Sequence, residues 1–185
     1  QSCEGVGLCG AGTVECATTS TARCSTDVGG SDDESTAELC DSEDNDCDGE
    51  PDEDFAYDGI PVTSTCDGIG ECGDGIVECA DEDTAVCSTN PDGSASQAED
   101  ELCDTLDNDC DTQTDEGFTY IEQPGGAVRA VGQSCNGIGE CGTGTVECDT
   151  TSVATCSTDP NGSAHQNVAE ICDAKDNDCD AQTDE

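Results

Sequence analysis

The chain has 185 residues, of which 46 are acidic and three basic, giving a net charge of −43 with no Trp or Met. That composition is too poor in apolar side chains for a conventional hydrophobic core, and by itself it reads as disordered. A polyanion excludes nucleic acid as a partner, and no apolar run approaches the roughly 18 residues of a membrane span. Against disorder stand 18 cysteines, the density of a disulfide scaffold. Gln1 reads as a mature or internal start.

The cysteines give the architecture. Cys3, Cys9, Cys16, Cys24, Cys40 and Cys47 recur as Cys66, Cys72, Cys79, Cys87, Cys103 and Cys110. They recur again as Cys135, Cys141, Cys148, Cys156, Cys172 and Cys179. The spacing C-x5-C-x6-C-x7-C-x15-C-x6-C is kept three times, so the chain is three copies of one module. The modules span residues 1–53, 66–116 and 135–185, joined by linker strands over 54–65 and 117–134. Six cysteines per module allow three bridges to close inside each module, with the connectivity left open. Each bridge contributes about 2–4 kcal/mol, enough together to replace a missing core. Disulfides imply an oxidising compartment, outside the cell or on its surface. Zinc is the alternative use of the thiols, but the close C-x2-C pairs of zinc sites are absent.

In chain order, each module opens with a turn and a short strand: Gly10 to Cys16, Gly73 to Cys79 and Gly142 to Cys148. A second short strand follows, as at Ala22 to Ser25 and Ala85 to Ser88, predicting a hairpin. Asn90-Pro91-Asp92-Gly93 and Asp159-Pro160-Asn161-Gly162 have turn chemistry. A brief helical turn is expected at Glu38-Leu39-Cys40, Glu101-Leu102-Cys103 and Glu170-Ile171-Cys172, its apolar residue packing against the bridges. The fold class is therefore small and disulfide-rich, mostly irregular with short β-hairpins, as three tandem modules in a linear array.

Each module ends in an acidic loop. The loops are Asp44-Asn45-Asp46-Cys47-Asp48-Gly49-Glu50-Pro51-Asp52-Glu53, Asp107-Asn108-Asp109-Cys110-Asp111-Thr112-Gln113-Thr114-Asp115-Glu116 and Asp176-Asn177-Asp178-Cys179-Asp180-Ala181-Gln182-Thr183-Asp184-Glu185. Asp at positions one, three and five opens an EF-hand loop, where a hard cation takes oxygens from alternate residues and a carbonyl at position seven. The closing Asp-Glu pair can supply the last carboxylate, so the loop is a shortened relative. Two carboxylates about 4 Å apart repel by roughly 4 kcal/mol at an effective dielectric of 20. Several around one point call for a counterion, and oxygen-only ligation selects calcium, about one ion per module. The alternative is a solvated acidic loop without metal. The cysteine at position four points away from the ion and can staple the loop to its module. At position six Gly49 suits the sharp turn, and Thr112 and Ala181 suit it less.

The string C-D-x-x-D-N-D-C-D-x-x-x-D-E, with the Gly-rich cysteine clusters at Cys3, Cys66 and Cys135, resembles the MopE-type metal-binding repeat family of bacterial extracellular and surface proteins. The resemblance implies an extracellular, tandem, disulfide-bonded calcium module. Copper does not carry over with it: the chain has one His, and no Met or Trp. The acidic loops are also similar to those of thrombospondin type 3 repeats.

The linkers open with Phe55-Ala56-Tyr57 and Phe118-Thr119-Tyr120. Alternation puts each aromatic pair on one face of an extended segment. The pair either covers a calcium loop or disulfide or docks the strand on the neighbouring module, and both can hold. Asn161-Gly162-Ser163 is a glycosylation acceptor on a surface turn. His165 is replaced by Asp33 and Ser96 in the other modules, and no catalytic constellation recurs with the repeat, so no enzyme is expected. The sequence thus predicts a secreted or cell-surface calcium-binding structural protein. It would be a spacer or fibre subunit that joins copies of itself head to tail, or part of a longer array. A calcium-dependent adhesion or ligand-binding module, with surface glycans as the partner, is the alternative; bulk cation buffering is a third.

Overall fold

A computed structural model describes residues 1–123 and 125–185. Pro124, within the second linker, lies outside the described residues. The chain forms two compact units: residues 1–68 with 72–98, and residues 69–71 with 99–185. The middle module is thus shared, its strand half in the first unit and its acidic half in the second.

The strands, in chain order, form three meanders and two ribbons. The first meander is β1 (Ser2–Glu4), β2 (Ala11–Cys16) and β3 (Ala22–Cys24). The first ribbon is β4 (Ala56–Tyr57) with β5 (Ile60–Pro61). The second meander is β6 (Thr65–Asp67), β7 (Asp74–Asp81) and β8 (Thr84–Cys87). The second ribbon is β9 (Thr119–Ile121) with β10 (Val128–Ala130). The third meander is β11 (Ser134–Asn136), β12 (Thr143–Thr150) and β13 (Val153–Cys156). All pairings are antiparallel and each meander keeps chain order. The predicted hairpins are β2–β3, β7–β8 and β12–β13. The short strand around each first cysteine, and the folding of each linker into a ribbon, were not legible: two- and three-residue strands carry no periodicity. The molecule is nearly helix-free, with one 3-10 turn at Gly70–Cys72 among the described residues.

The core is made of disulfides and a few side chains laid on them. In β7, Val77 is buried, and the residues packed against the Cys66, Val77 and Cys87 cluster include Tyr57, Ile60 and Val62 of the preceding linker. In β12, Val146 is buried with Cys135, Cys156 and Tyr120. The aromatics at the two Tyr positions therefore cover a disulfide and dock the linker on the following meander at once. Asn90 donates from its side chain to the Tyr57 hydroxyl at 2.9 Å. Burial holds the Tyr120 phenol above its ordinary pKa. The ribbon β9–β10 is closed by an Arg129–Glu122 ion pair at 3.1 Å.

The bridges correct the expectation of three per module. The first cysteine joins the fourth in every module: Cys3–Cys24, Cys66–Cys87 and Cys135–Cys156. The second joins the sixth in Cys9–Cys47 and Cys141–Cys179; Cys72 and Cys110 are disulfide-bonded as well. The fifth instead joins the third of the next module, as Cys40–Cys79 and Cys103–Cys148. Cys16 and Cys172, expected in bridges, carry exposed free thiols. The physical reason is position: the third cysteine lies near the outer tip of its hairpin, within reach of a neighbouring module.

The helical turn at Glu38-Leu39-Cys40 and its counterparts is also corrected. These residues are extended and irregular. Leu102 and Ile171 are 40% and 61% exposed, so they do not pack on the bridges. What fixes the segment is polar, as follows.

Candidate metal centre

Each acidic loop is folded by its own carboxylates. Asp44 accepts from the backbone N–H groups of Asp48 (3.2 Å) and Gly49 (3.0 Å). Asp46 also accepts from Asp48 N–H (3.0 Å), and Asp48 from Glu50 N–H (2.9 Å). The second loop repeats this with Asp107, Asp109 and Asp111 accepting from Asp111, Thr112 and Gln113. In the third, Asp176 accepts from Asp180 and Ala181, and Asp180 from Gln182. Such bonds from carboxylate to nearby backbone hold a tight turn. They also put three carboxylates on its concave side: Asp44, Asp46 and Asp48 bring an oxygen each within 4.8 Å of one another.

The wall behind position one is the Gly-rich cysteine cluster. Leu8, Glu71 and Glu140 donate N–H to the carbonyls of Asp44, Asp107 and Asp176 at 2.9, 3.0 and 2.9 Å. A Cβ on Gly7, Gly70 or Gly139 would collide with those same carbonyls, and all three glycines have positive φ. Only glycine fits there. The cysteine at position four staples the loop to this wall through Cys9–Cys47 and Cys141–Cys179. Position six has positive φ in all three loops: Gly49 at 103°, Thr112 at 78° and Ala181 at 72°. Thr112 and Ala181 adopt the turn in a region that L side chains disfavour.

One ligand candidate was not singled out in the sequence. Glu38 accepts N–H bonds from Asn45 (2.6 Å), Asp46 (2.8 Å) and Asp52 (2.9 Å). Glu101 does the same for Asn108, Asp109 and Asp115, and Glu170 for Asn177, Asp178 and Asp184. Glu38 also lies with Asp46 and Glu53 in one cluster of oxygens within 4.8 Å, as does Glu101 with Asp107 and Asp109. The signal was present: Glu stands two residues before the fifth cysteine in every module. The loop asparagine is the reciprocal contact. The Asn45, Asn108 and Asn177 side-chain oxygens accept from Leu39, Leu102 and Ile171 N–H.

Two groups of predicted ligands face elsewhere. Asp52 accepts from Asp41 and Ser42 N–H, Asp115 from Asp104 and Thr105, and Asp184 from Asp173 and Ala174. These carboxylates clamp the backbone just after the fifth cysteine, on the disulfide side. The Gln113 and Gln182 amides donate to Asp111 (2.7 Å) and Asp180 (2.8 Å), so their side chains brace position five. Glu50, at the same position, is exposed. The converging set is therefore Glu38, Asp44, Asp46, Asp48 and Glu53, with Glu101, Asp107, Asp109, Asp111 and Glu116, and Glu170, Asp176, Asp178, Asp180 and Glu185, in equivalent places.

The electrostatics agree. Desolvation, with repulsion from the neighbouring carboxylates, holds Asp46, Asp109 and Asp178 above the ordinary aspartate range. Glu53, Glu116 and Glu185 are each pulled down by a backbone hydrogen bond. Desolvation and repulsion from the same carboxylates outweigh it and leave them raised. Glu116 Oε2 and Asp178 Oδ1 are buried without a hydrogen-bond partner. An unpaired buried carboxylate oxygen is costly, and a cation is the partner that both the charge and the geometry fit. The donors are all oxygens, which suits a hard ion.

Residues 34–53, 79–116 and 158–185 match the family model described as "Putative metal-binding motif" (Cu-binding_MopE), in line with the resemblance read from the acidic strings. A search of the curated proteins and of the solved structures gave no match.

Proposed function

We propose, for a chain that carries the MopE-type metal-binding motif three times, that it is a secreted calcium-binding structural array without catalytic activity. The observation that carries the metal assignment is the convergence of carboxylates on buried, unpartnered oxygens, Glu116 Oε2 and Asp178 Oδ1. Residues holding the ion would be the five-carboxylate sets named above, one ion per module. Bound calcium would neutralise each set and lock the turn that leads into the next linker. In the first unit Phe55 N–H donates to the Asp52 carbonyl at 3.1 Å, directly ahead of the ribbon that covers Val77. Loop order is thereby passed to the cover of the following meander. Disulfides hold each meander without the ion, so calcium sets stiffness rather than the existence of the fold.

The disulfide density supports an oxidising, extracellular setting. No helix among the described residues is long and apolar enough to cross a membrane. Asn161 is exposed on its turn, where its Nδ2 donates to Asp149 at 3.2 Å, a bond that a sugar on that nitrogen would displace. Calorimetric titration of the purified, non-reduced protein tests the assignment, with calcium expected to bind at about three ions per chain and to outcompete magnesium. Tight copper binding with no calcium heat would overturn it. Calcium-dependent capture on a glycan array would move the role from support to adhesion.

A further inference from the structure

Two junctions between successive modules are built alike. In each, the fifth cysteine of one module bonds the third cysteine of the next, and its own N–H donates to the hairpin tip three residues beyond that partner. Cys40 donates to the Glu82 carbonyl and Cys103 to the Thr151 carbonyl, both at 2.9 Å. The cysteines on the donor side are 3% and 2% exposed. The linkers spanning these junctions differ in length, 54–65 against 117–134, yet the contact is the same. The junction is therefore specified by the two surfaces and not by the tether.

The chain also carries each half of this junction in open form. Cys172 is the fifth cysteine of the third module and Cys16 the third cysteine of the first; both are exposed thiols. The donor half is already shaped: Asp184 holds Asp173 and Ala174 N–H at 2.8 and 2.9 Å, as Asp52 and Asp115 hold their counterparts beside the closed junctions. On the acceptor half, β2 and β3 set Cys16 opposite Ala22, as Cys79 lies opposite Ala85. The carbonyl equivalent to those of Glu82 and Thr151 is that of Thr19. The first hairpin tip also carries less charge than the middle one. The middle hairpin tip carries Asp81, Glu82 and Asp83, whereas the first reads Ala17-Thr18-Thr19-Ser20-Thr21 and carries none. Arg23 stands one residue from Ala22 and is paired with Glu15 at 3.3 Å; Lys175 stands three from Cys172 and is paired with Glu140 at 2.7 Å. These are two of only three basic residues in a chain of net charge −43.

We infer that two copies of this chain join head to tail through a Cys172–Cys16 disulfide, with Cys172 N–H donating to the Thr19 carbonyl of the second copy. This deepens the structural-array reading and rests on it. The contact is heterologous and does not consume its own ends, so it continues into a polymer. The chemistry is thiol–disulfide exchange with a small-molecule or oxidoreductase disulfide. The Cys172 thiolate attacks the donor disulfide and one donor thiolate leaves. The Cys16 thiolate of the next copy then attacks the Cys172 sulfur, and the second donor thiolate leaves. The two chain thiols are oxidised, the donor is reduced by two electrons, and the two protons pass to the departing thiolates.

The test uses the full, non-reduced chain in a mixed oxidised and reduced glutathione buffer with calcium, followed by non-reducing electrophoresis and mass mapping of linked peptides. A ladder beginning at dimer, with Cys16–Cys172 as the new linkage, is expected. C16S and C172S should each abolish the ladder, and mixing them should give dimer and nothing larger. Both sites are exposed, so neither serine threatens the fold. Monomer with both thiols alkylated or capped by glutathione would overturn the inference. So would Cys16–Cys16 or Cys172–Cys172 dimers as abundant as the mixed linkage. Calcium titration of the same sample separates the two claims. A ladder without calcium binding sinks the calcium reading alone, and calcium binding without a ladder sinks the junction alone.

Discussion

The two halves of each module respond differently to their surroundings. Val14, Val77 and Val146 occupy one position in three meanders of the same register. Yet Val14 is 44% exposed while Val77 and Val146 are each 1% exposed. The difference is the aromatic ribbon: Tyr57 and Tyr120 pack over the second and third meanders, and the first has no such cover among the described residues. The position-one contacts of the acidic halves show no such variation. The bonds from position one to the loop backbone lie between 3.0 and 3.2 Å in all three. A loop folded by its own carboxylates, one clamping glutamate and one staple is self-contained. A meander with one buried valine takes its core from whatever is laid on it.

The sharpest way to break this comparison is to remove the cover. Tyr120→Ala should cost about 3 kcal/mol in the third meander, in line with truncating a buried aromatic, read as a lower melting transition by calorimetry. Calcium stoichiometry should stay unchanged; if calcium binding falls with it, the halves are coupled. The converse is Glu101→Gln, which leaves the meanders alone. It should weaken one calcium site by about tenfold to a hundredfold, the range for groups that position metal ligands, as measured by titration.

A smaller contrast lies within the valines. Val146→Ala should cost about 1.5 kcal/mol from lost burial, while Val14→Ala should be nearly silent in the same melt. Equal effects would mean that Val14 is covered in solution. Within the loops, Thr112→Gly should relieve left-handed strain and stabilise the loop by up to about 1 kcal/mol, and Gly49→Ala should do the reverse. The last contrast is one of pH. The raised carboxyls of Asp46 and Glu53 favour protonation in the calcium-free fold. Their contribution to stability is present below the ordinary values of 3.8 and 4.5 and is lost as pH rises through the raised folded ones. Without calcium the melting temperature should therefore fall slightly as pH rises above that range. Calcium should abolish the fall, and its affinity should drop as pH is lowered through the same window.

Much of the loop was legible in the residues. Asp at positions one, three and five, and the cysteine at four, lie within one turn of chain, so their spacing alone dictates where they point. Asp52, Asp115 and Asp184 sit in the same acidic string, and their bonds to the backbone N–H groups after the fifth cysteine come from the fold and not from local spacing. Glu38 escaped because its role depends on chain returning from seven or more residues away. The hairpins were legible from their turns, and the linker ribbons were not, because so few residues pair.

By itself the sequence determined the threefold repeat, the irregular disulfide-rich class and the oxygen-rich loop, since each is written in local spacing. Only the tertiary structure decided which cysteines meet. Spacing records where a thiol lies along the chain but not which neighbour comes within bonding distance. The fifth and third cysteines pair across modules because the hairpin tip reaches the neighbouring clamp, a contact between surfaces. The burial of Val77 and Val146 was decided in the same way, by a tyrosine that arrives from the preceding linker.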